Sequence, residues 1–81
     1  MMIRVRLFAI LRDRAGTPEL TLELASGAIA STVVARIAEQ VPTIRELLPR
    51  VAIAVNREYV KPDHVLQDGD ELALIPPVSG G

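Results

Sequence analysis

The segment Ile3-Arg4-Val5-Arg6-Leu7-Phe8 alternates apolar and polar residues, the period of a half-buried β-strand. Ile3, Val5 and Leu7 share one face; Arg4, Arg6 and Phe8 share the other. Ile10-Leu11-Arg12-Asp13 reads as a short helical turn closed by Gly16. Alternation returns in Glu19-Leu20-Thr21-Leu22-Glu23-Leu24, with the three leucines expected inward, and Gly27 breaks it. The period then lengthens. Val33, Val34, Ile37, Ala38 and Val41 recur at helical spacing, with Arg36, Glu39 and Gln40 turned away. Thr32 is the expected N-cap, and Pro42 cannot continue the hydrogen-bond ladder. Thr43-Ile44-Arg45-Glu46 has the spacing of a capping box, which predicts a second short helix to Leu48, ended by Pro49.

Val51 to Val55 is rich in β-branched residues and reads as a third strand. Asn56-Arg57-Glu58 reads as a turn, because Asn tolerates left-handed geometry. A short strand at Tyr59-Val60, a loop at Lys61-Pro62-Asp63 and a tight turn at Asp68-Gly69-Asp70 follow. Glu71 to Ile75 is the last strand, closed by Pro76 and Pro77, which cannot donate to a ladder. Strands grouped around one main helix predict an α+β fold, a sheet with helices packed on one face. One helical layer covers one side of such a sheet. With Val51, Ile53, Val55, Leu72 and Leu74 facing the helices, the open side is expected to carry Phe8, Ile75, Tyr59 and the alanines 52, 54 and 73. An uncovered apolar patch of that kind is the expected seat of a protein partner.

Composition narrows the chemistry. Eighty-one residues, 49% apolar, suffice for one domain with a modest core. Nine basic and ten acidic side chains give a net charge of −1, and Phe8 and Tyr59 are the only aromatics. That is not the basic, aromatic-studded surface of a nucleic-acid binder. No apolar run is long enough to span a bilayer, and a cytoplasmic protein is expected. The chain has no cysteine, so it lacks a thiolate nucleophile, a disulfide or an iron–sulfur ligand set. The single histidine, His64, has no metal-ligand companion and reads as a loop residue. The usual parts of a self-contained active site are missing. Chemistry therefore needs a partner protein or the terminus itself.

The sequence given ends Pro76-Pro77-Val78-Ser79-Gly80-Gly81. A terminal carboxylate is ionised at neutral pH and can act as a nucleophile. Two glycines without Cβ atoms fit a channel too narrow for other residues. Pro76 and Pro77 stiffen the approach into an extended rod. The plain alternative is a frayed end.

The ordered set Leu7-Phe8-Ala9-Ile10-Leu11-Arg12-Asp13 with Gly16, Ala54-Val55-Asn56, Asp68-Gly69-Asp70-Glu71 and Ile75-Pro76-Pro77-Val78-Ser79-Gly80-Gly81 resembles the small subunits of molybdopterin synthase, the MoaD-type sulfur carriers. The resemblance covers essentially the whole chain. It implies a ubiquitin-like β-grasp domain over 1–77 and a flexible Gly-Gly tail over 78–81. It implies that an E1-like enzyme uses ATP to adenylate Gly81, and that a sulfur donor protein helps convert the adenylate to a thiocarboxylate. The covalent sulfur at Gly81 then goes to cyclic pyranopterin monophosphate inside the large subunit, building the molybdopterin dithiolene. Two small and two large subunits form the expected heterotetramer. No cofactor or metal is expected to be bound, and no nucleic acid or membrane to be a partner. Gly81 is a covalent participant, with acid–base groups supplied by the partner enzymes. The expected contact residues are Phe8, Tyr59, Ile75, Pro76, Pro77, Val78, Ser79 and Gly80, with Arg12 docking the activating enzyme or simply completing a helical turn. Related carriers for thiamin or transfer-RNA thiolation, lysine-linked modifiers and a plain β-grasp interaction domain are the alternatives.

Overall fold

The structure is a computed structural model and describes residues 1–77. The elements run β1 (Met2–Leu7), α1 (Ala9–Ala15), β2 (Glu19–Glu23), α2 (Ala30–Gln40), a 3-10 helix (Pro42–Arg50), β3 (Ala52–Val55), β4 (Glu58–Tyr59) and β5 (Glu71–Ile75). The five strands form one sheet in the order β2-β1-β5-β3-β4. β1 and β5 are parallel neighbours at its centre, and the other pairs are antiparallel. This is the expected mixed sheet of a ubiquitin-like β-grasp fold. The expected tail, 78–81, lies outside the described residues.

Alternation decides which strand residues are buried. Ile3, Val5 and Leu7 of β1 and Leu72 and Leu74 of β5 are almost fully enclosed. They meet Leu11 of α1, Val33 and Ile37 of α2, and Ile44 and Leu48 of the 3-10 helix. Each such side chain contributes roughly 1.5–3 kcal/mol by leaving water. The described residues include no buried polar or charged residue. β2 sits at the sheet edge, so Leu22 and Leu24 are buried while Leu20 is only partly so.

Three local expectations need correcting, two of them because a distant group took over a local role. Thr32 is not the N-cap of α2. The helix starts at Ala30, where the Ala30 and Ser31 N–H groups donate to the carbonyls of His64 and Pro62, both at 2.9 Å. Loop carbonyls thus satisfy two of the donors that a helix N-terminus leaves unpaired. Thr32 lies one turn in, where its hydroxyl accepts the Ile29 N–H at 3.3 Å. Thr43 and Glu46 form no capping box. The Thr43 hydroxyl donates to the Arg14 carbonyl at 3.1 Å, and Glu46 meets the Arg14 guanidinium at 3.0 Å. Both residues tie the 3-10 helix to the end of α1. That helix runs past Pro49 to Arg50. Ala54 lies on the open face as expected, buried there beneath its larger neighbours.

Candidate functional site on the open sheet face

The side of the sheet away from the helices is built by register. Arg6 pairs with Ala73, Ala73 with Ala54, and Ala54 with Tyr59, a single row across four strands. Ile75 and Ala52 pair in the next row. Phe8 follows β1 in an extended conformation, φ −124° and ψ 153°. Alanines in the middle of the row leave space that the larger outer side chains enclose. The result is a hollow of about 270 Å³ walled by Phe8, Tyr59 and Ile75 over Ala54 and Ala73. Tyr59 is 74% exposed, too open for a core residue.

Two features fix the walls. The Asn56-Arg57 hairpin turn has positive φ at both residues, 50° and 71°, the geometry whose twist matches adjoining strands and which here brings Tyr59 beside Ala54. On the other side Ala9 has a φ of 50°. A left-handed alanine costs about 1–2 kcal/mol. This strained residue turns the chain out of β1 into α1 immediately after Phe8.

The face is not purely apolar, as the alternation suggested. The Arg6 guanidinium lies 5.3 Å from the centroid of the Phe8 ring, within cation–π reach. Glu71 takes Arg4 at 3.5 Å and Arg6 at 3.8 Å. Arg57 also lines the hollow. The signal for Arg4 and Arg6 lay in their sharing the Phe8 face of the first strand. Arg57 and Glu71 needed the fold, since they meet the site from a turn and a different strand.

Of the expected contact residues, Phe8, Tyr59 and Ile75 are brought together. Arg12 is not with them: it lies in the last turn of α1, half exposed, with its Nε 3.6 Å from Asp13. Its carbonyl accepts the N–H of Gly16, whose φ of 77° ends the helix. Pro76 is half-buried and Pro77 exposed at the exit of β5. Val78, Ser79, Gly80 and Gly81 lie outside the described residues. His64 sits in a surface loop. No group of three potential metal ligands lies among the described residues, and no helix there is long and apolar enough to cross a membrane.

A family model described as the ThiS family matches residues 5–81. The chain is 42% identical over 83 residues to the molybdopterin synthase sulfur carrier subunit of Chlamydomonas reinhardtii, covering all of both chains. It is 39% identical over 79 residues to that of Arabidopsis thaliana, covering 98% of this chain and 82% of the relative. Among solved structures, SAMP1 from Haloferax volcanii is similar over all of both chains, with a TM-score of 0.90 at 25% identity. A chain in the protein–protein complex of subunits 1 and 2 of molybdopterin-converting factor from Helicobacter pylori is also similar over all of both, with a TM-score of 0.71 at 28% identity.

Proposed function

The chain belongs to the ThiS family, and on that footing we propose that it is the sulfur carrier subunit of a molybdopterin synthase. The observation that carries the reading is the end-to-end match to a sulfur carrier subunit. The solved two-subunit complex supports a large-subunit partner. The open face holding Phe8, Tyr59 and Ile75 is the docking surface, and β5 leads from it through Pro76 and Pro77 toward Gly80 and Gly81.

The chemistry follows from the acyl terminus. A carboxylate is a poor acyl donor because its oxygen leaves badly. With ATP on an E1-like enzyme, a Gly81 oxygen attacks the α-phosphorus and pyrophosphate departs, giving an acyl adenylate. A persulfide on a donor protein then displaces AMP to give an acyl disulfide. A thiol of the donor or activating enzyme cleaves its S–S bond, itself ending in a disulfide, and releases the thiocarboxylate. That sulfur is anionic and reactive. The large subunit must enclose it with the pterin substrate, since water hydrolyses activated acyl groups. Gly80 and Gly81 pass where a Cβ would not. A dithiolene holds two sulfur atoms, so two carriers serve each product, in keeping with a two-plus-two heterotetramer. Each carrier leaves as a carboxylate after water supplies the oxygen. ATP is consumed on the activating enzyme, the carrier itself holds no cofactor, and the cytoplasm is the expected site.

Intact mass after incubation with activating enzyme, ATP and a sulfur source tests the reading. An oxygen-for-sulfur mass gain at the terminus is expected, followed by its loss when large subunit and cyclic pyranopterin monophosphate are added. A competent activating enzyme that leaves the mass unchanged would falsify it. A second reading, a protein modifier, is favoured by the likeness to SAMP1. Lysine-linked adducts of the chain in cells would support that role.

A further inference from the structure

The open face carries charge that its apolar wall does not require. Glu71 is the one carboxylate there, and it is shared between Arg4 at 3.5 Å and Arg6 at 3.8 Å. Both distances are longer than a hydrogen bond, and the Arg6 guanidinium also rests over the Phe8 ring. Its plane is thereby set while its N–H donors remain available. Across the hollow, Arg57 stands at the tip of the hairpin, held by a positive φ of 71°. No ion pair involves Arg57 among the described residues. Two guanidinium groups thus flank an apolar hollow on a chain whose net charge is −1.

A partner presenting only apolar groups would strip water from both guanidiniums and leave Glu71, already shared with Arg4, as the one carboxylate beside them. A carboxylate beside the inserted apolar side chain would replace that water with charge-assisted bonds. We propose that Arg6 and Arg57 form a cationic rim that selects a carboxylate-bearing segment of the large subunit, whose neighbouring apolar side chain enters the hollow. This rests on the carrier reading above and adds to it the chemistry of the partner surface. Rim charges act mainly on the rate of encounter and on its salt dependence, whereas the apolar wall acts on dissociation.

The test is stopped-flow association of the full-length chain with the large subunit of the synthase, at low and high salt. The wild type is compared with Arg6→Gln, Arg57→Glu and the double variant, with thermal melts to check folding. The double variant should associate about tenfold more slowly at low salt and show a flatter salt dependence, with little change in dissociation. Arg57→Glu alone should show the same pattern in part. It decides the matter if Arg6→Gln does not fold, because Arg57 makes no ion pair among the described residues. Unchanged association and salt slope in folded variants overturns the cationic rim. So does an equal loss at high and low salt. A wild-type chain that accepts sulfur but binds no large subunit at any salt overturns its assignment to a molybdopterin synthase, and the rim with it.

Discussion

Asn56 and Glu71 hold each other twice: the Asn56 N–H donates to the Glu71 carbonyl at 2.8 Å, and the Glu71 N–H donates to Asn56 Oδ1 at 3.1 Å. Asn56 Nδ2 also reaches Asp70 Oδ1 at 2.9 Å. The hairpin turn is thereby fastened to the start of β5, which fixes where Tyr59 and Arg57 stand relative to Ala73 and Ile75. Replacing Asn56 separates its two roles. Asn56→Gly keeps the left-handed backbone and loses the side-chain bonds, costing about 1 kcal/mol. Asn56→Ala adds the left-handed penalty and should cost about 2 kcal/mol. Urea denaturation of both variants checks the order; equal losses would sink the left-handed argument.

Ala9 stores strain at a different point of the same face. Ala9→Gly relieves the positive φ of 50° and gains unfolded-state entropy, for a net stabilisation of about 0.5–1 kcal/mol. A melting temperature that falls instead would show that the alanine is not strained.

Leu72 lies on the central strand and is fully buried. Leu72→Ala should cost about 2–5 kcal/mol, much of the roughly 4–12 kcal/mol expected for a domain of this length. Partial unfolding at room temperature, seen in the exchange of amide protons, is the expected sign. A loss below 1 kcal/mol, the low end of ordinary single substitutions, would contradict the assigned core.

Tyr59 should behave in the opposite way. At 74% exposure, Tyr59→Ala should change stability by less than about 0.5 kcal/mol. It should still weaken binding to the large subunit by about 1–2 kcal/mol, the scale of an aromatic anchor. Calorimetric titration with a melt of the free chain measures both. Unchanged affinity would remove Tyr59 from the docking surface.

Gly80 tests the terminus without touching the described core. Gly80→Ala should leave the melting temperature unchanged and slow sulfur transfer by about a hundredfold, because a small displacement of a reacting group is costly. Transfer at the wild-type rate would argue against a narrow channel.

The order of residue types by itself determined most of the fold. Period-two alternation in β1 and β5 selected Ile3, Val5, Leu7, Leu72 and Leu74 for the core, because strand side chains alternate between faces. Helical spacing placed Val33 and Ile37 against them, Pro42 ended α2, and the motifs running to Gly81 pointed to the family. What only the tertiary structure decided is how separate elements meet. Carbonyls from the loop before β5 cap α2, and Arg14 takes both Thr43 and Glu46. The register of four strands puts Arg6, Ala73, Ala54 and Tyr59 in one row. Periodicity reports the face on which a residue lies and carries no information about its neighbour on the next strand. The guanidinium pair around the hollow depends on that neighbour, so it came into view only once the sheet was assembled.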